Sequence, residues 1–174
     1  RAQDALPSAR DQLERLLKKV DAADDGVVVA SSLHELALVF EAQGDLVAAN
    51  AHLREEIALL INIHGSEWHQ DVAEAYHVLA GVQRALGDLA AARGHLEQSI
   101  AISEVGFGTR AHPAVTRALN DLGVLLMETG DTVQTRTILE EVLDLEETFF
   151  GTKDNHLYAF TELLLGELMK DETE

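Results

Sequence analysis

The chain has no cysteine among its 174 residues. That excludes a disulfide framework, a thiolate zinc site and a cysteine nucleophile. Basic residues are scarce: 13 Lys and Arg face 31 Asp and Glu, a formal net charge of −18. With no basic surface to displace counterions from phosphates, nucleic acid is not an expected partner, and anionic membranes are disfavoured on the same ground. No apolar run approaches the roughly 18 residues of a membrane span. Aromatics make up only 5% and there are two prolines. What remains is an apolar fraction of 47%, ordinary for a globular chain and too high for disorder. A chain of this length can bury roughly 70% of its unfolded surface, so a single stable domain is expected. The first residues, Arg1-Ala2-Gln3-Asp4, lack an initiator Met and the charged-then-apolar pattern of a signal peptide. The expectation is a segment of a longer, cytoplasmic protein.

The informative feature is internal repetition. Gly-Asp occurs at Gly44-Asp45, Gly87-Asp88 and Gly130-Asp131, at intervals of 43 residues. Gly65, Gly108 and Gly151 keep the same interval. Other columns fall into register without adjustment: Leu36, Leu79, Leu122 and Leu165; the small residues Ala37, Ala80, Gly123 and Gly166; Leu53, Leu96 and Leu139; Ile57, Ile100 and Leu143.

Each unit reads as two helices. Val72, Ala73, Tyr76, Leu79, Ala80 and Val82 recur at three and four, the helical period. Gly87 suits the left-handed residue that ends a helix, and Asp88 can cap the next one. The second helix runs from about Leu89 to about Val105, and His112-Pro113 opens the following unit with Pro at the first helical position. The small column marks a close helix crossing. The layout predicted is an N-terminal helix over 8–22, repeats at 27–69, 70–112 and 113–155, and a last helix over 156–170. Such pairs cannot bury their apolar faces alone and must stack on their neighbours.

Gly-Asp between two helices, with Leu-small seven to eight residues before the Gly, resembles the tetratricopeptide repeat. The long unit, with Phe107-Gly108-Thr109-Arg110-Ala111-His112-Pro113 leading into Leu119-Asn120-Asp121-Leu122-Gly123, is similar to the kinesin light chain type. The unit at Gly65 departs from it with His69-Gln70, and that at Gly151 with Asn155-His156. The resemblance implies an all-α fold, a right-handed superhelix (α-solenoid) of antiparallel helix pairs. It also implies a concave groove, lined by the first helix of each pair, that binds peptides. Carried over by column, the groove positions include Ser31, His34, Leu38 and Glu41; Glu74, His77, Gly81 and Arg84; Arg117, Asn120, Val124 and Met127; Phe160, Leu163, Glu167 and Lys170. Their steps of three and four put each set on one helix face. His34, Glu74, His77, Arg84, Arg117, Asn120, Val124 and Met127 are the expected peptide-binding residues. His34, His77 and Asn120 would hydrogen-bond a peptide backbone, Arg84 and Arg117 would pair with an acidic side chain, and Val124 and Met127 would hold an apolar one. The alternative is that these are solvated residues and the ligand binds elsewhere.

No enzyme chemistry is legible. Gly106-Phe107-Gly108 lacks the lysine and preceding strand of a phosphate loop. His64 and His69 stand five apart across a loop, not at a zinc-enzyme spacing, so neither a metal nor a cofactor is expected. Glu55-Glu56, Glu140-Glu141 and Glu146-Glu147 read as solvated outer face. Trp68 is expected to cover a helix end. Leu163, Leu164 and Leu165 run consecutively in the last helix, so it is apolar on more than one face. A further helix of the full-length protein, or a second copy, is expected to pack there. Two readings of function follow. One is a non-catalytic module that binds a protein or peptide partner. The other is a regulatory, sensor or self-association region of a larger signalling protein such as an ATPase-type switch, in contact with sister domains.

Overall fold

The computed structural model describes residues 2–19 and 25–171. All regular structure among them is α-helical: α1 (Ala2–Leu17), α2 (Gly26–Ala42), α3 (Leu46–His64), α4 (Gln70–Ala85), α5 (Leu89–Phe107), α6 (Pro113–Glu128), α7 (Thr132–Phe150) and α8 (His156–Asp171). Among the described residues no helix is long and apolar enough to cross a membrane. The chain divides into two compact units, residues 1–92 and 93–174, with the boundary inside α5.

The Gly-Asp corners form as the sequence predicts. Gly44, Gly87 and Gly130 take φ of 80°, 83° and 78°, where a side chain would be strained. The next residue then closes the turn: Asp45, Asp88 and Asp131 donate their N–H to the carbonyls of Phe40, Gln83 and Leu126 at 2.9–3.0 Å. Their carboxylates accept from the N–H of Ala48, Ala91 and Gln134 at 3.0–3.1 Å, capping the second helix of each pair.

In the first unit α2 packs against α3, α3 against α4, and α1 against α2. Leu33, Leu36, Leu53, Val72, Leu79 and Val82 form the core. In the second, α6 packs against α7, α7 against α8, and α8 also touches α6, around Val115, Leu125, Leu139, Val142 and Leu168. The small column has two different reasons behind it. A Cβ on Gly123 would sit 2.8 Å from Leu139 Cδ2, so any larger residue there would require the Leu139 side chain to shift. A Cβ on Gly166 would meet nothing within 4 Å.

The N-terminal helix differs from the range 8–22. It begins at Ala2 and ends at Leu17, where Lys19 N–H bonds back three residues to Leu16 and tightens the last turn. Residues 20–24 of the expected helix and its flank lie outside the described residues.

The adjacent acids need a correction. Glu56 is only 5% exposed and Glu146 fully buried, while Glu55 and Glu147 face solvent. Neighbours on a helix point roughly 100° apart, so one of two adjacent acids can face inward. Glu146 repeats the column of Leu60 and Ser103; Glu56 repeats that of Ser99 and Val142. Both columns are core. Trp68 is 50% exposed.

Candidate functional site: two clefts of opposite charge

In the first unit a cleft of about 310 Å³ opens between α2 and α4, with α3 as its floor. Val27, Ala30 and Leu60 give it an apolar base, and Glu35, Glu56, Asp71 and Glu74 surround it. His34 also lines it. Its Nδ1 donates to the Glu56 carboxylate, 3.0 Å from Oε1 and 3.2 Å from Oε2. That hydrogen bond raises the His34 pKa, opposed by burial and helped by the charges of Glu56, Glu35 and Glu74. The cleft holds four carboxylates against one imidazole.

In the second unit a cleft of about 370 Å³ is lined by Pro113, Ala114, Arg117, Phe150, His156 and Leu157. Adding two repeat lengths maps Val27 onto Pro113, Ser31 onto Arg117 and Asp71 onto Leu157. The two clefts therefore occupy the same place in the repeat architecture. No carboxylate lines the second, and Arg117 stands in it.

The expected peptide-binding residues divide accordingly. His34 and Glu74 line the first cleft; His77, half-buried, and Arg84, exposed, lie further along α4. Arg117 lines the second cleft; Val124 and Met127, partly exposed, follow along α6. Asn120 differs from its expected setting. It is 2% exposed, and its Nδ2 donates to Thr161 Oγ1 of α8 at 2.9 Å. His34 likewise gives its Nδ1 to Glu56. Both side chains join their own helices to a neighbour. Glu35, Glu56, Phe150 and His156 were not among the expected residues. The signal for them is column arithmetic combined with knowledge of which helices adjoin.

Glu146 is the polar anomaly of the second unit. Neither carboxyl oxygen has a hydrogen-bond partner among the described residues. Burial raises its pKa, and the Thr116 and Thr161 hydroxyls act against that rise. Their relief is partial because both are engaged elsewhere: Thr116 with the Pro113 carbonyl at 3.3 Å, Thr161 with the Leu157 carbonyl at 3.1 Å.

The corners before α4 and α6 share a second motif. His69 and His112 cap these helices, each Nδ1 accepting an N–H two residues on, at 3.3 Å from Asp71 and 3.2 Å from Ala114. Each histidine ring stacks on an aromatic partner, His64 or Phe107, with centroids 3.4 Å apart in both cases. Next to the second corner, Arg110 ties Glu104 and Glu141 together, and these two carboxylates raise its pKa.

Residues 28–104 match the family described as tetratricopeptide repeat. No curated protein sequence matches the chain. Among solved structures, the chain is similar to kinesin light chain nearly identical TPR-like repeats of Podosopora anserina, at 19% identity and a TM-score of 0.79, over 99% of this chain and 81% of that one. It is also similar to BtubC (BKLC) from P. vanneervenii, at 17% identity and a TM-score of 0.78, over 98% of this chain and 65% of that one. At these identities the likeness concerns the fold. Tetratricopeptide domains in general bind proteins, and no catalytic family matches. With its 43-residue period, Gly-Asp corners and antiparallel helix pairs, the chain has the fold of tetratricopeptide repeat structures, and its residues 28–104 match that family.

Proposed function

We propose that the chain is a non-catalytic protein-interaction module that recognises a peptide or partner surface through the first helices of its pairs, one cleft per unit. The observation that carries this is the pair of repeat-equivalent clefts with opposite charge. The α2–α4 cleft offers an apolar floor for an aliphatic stem and carboxylates at its rim, the chemistry of a site for a Lys or Arg side chain. The α6–α8 cleft offers Arg117 beside Phe150 and Leu157, which suits an acidic side chain with an apolar neighbour. Glu74 and His34 serve the first; Arg117 serves the second. His77 and Arg84 extend the binding face along α4, and Val124 and Met127 extend it along α6. Asn120 supports that face from beneath.

Charge reversal in each cleft tests the reading with two labelled hexapeptides, one with two Arg and one with two Glu. Glu35→Lys combined with Glu74→Lys weakens binding of the Arg peptide about tenfold and leaves the Glu peptide unaffected, since several exposed charge pairs together amount to about 1.4 kcal/mol. Arg117→Glu does the reverse. Equal binding of both peptides to all variants would reject the clefts as sites.

The self-association reading rests on α8, where Phe160 and Leu163 are exposed. Analytical ultracentrifugation of the chain decides it: a monomer at high concentration rejects it.

A further inference from the structure

We infer that the corner between α3 and α4 is a binding site for a divalent transition cation of the zinc class, held by His64, His69 and Asp71. The ligand atoms of these three side chains lie within 4.8 Å of one another. His64 Nε2 is 3.0 Å and His69 Nδ1 3.4 Å from Asp71 Oδ2. Zinc bound at about 2.1 Å by nitrogen and oxygen ligands requires donors roughly 3.3 Å apart in a tetrahedral set. Two of the three edges, at 3.0 and 3.4 Å, are close to that length. Two imidazoles and one carboxylate are the borderline donor set zinc accepts, and three protein ligands leave the fourth position to water.

The repeat supplies an internal control. The corner before α6 has the same architecture, with the same ring stack and the same histidine cap, but Phe107 stands for His64 and Ala114 for Asp71. The corner before α8 has Phe150, Asn155 and Leu157 at these positions. The fold therefore requires an aromatic ring at position 64 and a capping residue at position 69. It requires neither an imidazole nitrogen at 64 nor a carboxylate at 71. Those two donors occur together only in the first corner, on either side of the histidine it shares with the second. The site is half-open: His64 and His69 are partly buried and Asp71 is exposed. The rings lie within 11° of parallel and their centroids are 3.4 Å apart, so their lone pairs lie in separate planes. Closing on one ion turns a ring out of the stack and replaces the His69 cap bond to the Asp71 N–H.

The test uses the whole 174-residue chain, treated with chelator and then titrated with ZnCl2, with MgCl2 as control. Two variants import the sister corner's residues and so keep its stack and cap: His64→Phe and Asp71→Ala. Expected results are a zinc-dependent rise in Tm of about 5 °C or more at zinc a hundredfold above Kd, with no response to magnesium. Shifts in the ring resonances of His64 and His69 accompany it. Each variant weakens zinc binding at least tenfold. No rise in Tm in the parent chain, or a rise that both variants retain in full, overturns the site. If His64→Phe fails to fold, Asp71→Ala and the histidine resonances of the parent chain decide the question.

Discussion

The three helices α2, α3 and α4 of the first unit and α6, α7 and α8 of the second are built on the same columns, yet they dispose of charge in opposite ways. In the first unit the inward acid of the second helix is Glu56, and the position one turn later is Leu60. In the second unit these positions hold Val142 and Glu146. The acid has moved by one turn. At position 56 it meets His34 and opens on a cleft. At position 146 it is sealed, and the nearby hydroxyls of Thr116 and Thr161 stand where the first unit has Ala30 and Ala75. A shift of four residues thus turns a paired carboxylate at a cleft into an unpaired one in a core. Position along the repeat decides which, and composition does not.

The largest expected effect breaks this difference from the second unit's side. Glu146→Leu, which restores the residue of the equivalent position 60, stabilises the chain by about 2 kcal/mol at pH 7, because a buried carboxyl without partners is removed. The sign of its pH dependence follows from the raised pKa. Below the ordinary carboxyl range Glu146 is protonated in both folded and unfolded chains. As pH climbs from there through its raised folded value, the unfolded chain loses its proton first, and stability falls. Urea melts of the parent and of Glu146→Leu should therefore converge in acid and separate toward neutral pH. Parallel pH profiles would contradict the account.

Glu56→Ala should have the opposite sign. It removes the acceptor for His34 Nδ1 and leaves a gap, at a cost of about 1.5 kcal/mol. Asn120→Ala, which in a purely ligand-binding role would leave stability untouched, costs about 1 kcal/mol through the bond to Thr161. The same urea melts measure both. The smallest effect is a titration. The His34 pKa stands above the ordinary imidazole range because of Glu56, and it falls back toward that range in Glu56→Gln, as read by NMR. The stability that His34 contributes is fully present in acid and is lost as pH rises through its folded value.

Much of the fold is legible in the chain. Gly44, Gly87 and Gly130 at one interval, each followed by Asp, predict the corners and their caps, because positive φ and a short capping carboxylate are local demands. His112-Pro113 predicts the start of α6 for the same reason. Two kinds of feature escape. Glu56 and Glu146 read as solvated because charged residues usually are, although their columns run with Val142 and Leu60 and mark them as inward. The Asn120–Thr161 pair and the lining of both clefts join residues about one repeat apart. Periodicity along a single helix says nothing of which neighbouring side chains meet. Of the expected binding residues, those at cleft positions, His34, Glu74 and Arg117, follow from the column assignment. The commitment of Asn120 to Thr161 depends on what α8 carries.

Titration of the uniformly 15N-labelled chain with the Arg hexapeptide, followed through the amide resonances, tests the opposite charge of the two clefts most directly. The expected result is saturable shifts concentrated at Ser31, His34, Glu35, Glu74 and their neighbours around the α2–α4 cleft, with none around Arg117. Shifts centred on the α6–α8 cleft, or scattered without saturation over the acidic surface, would contradict it.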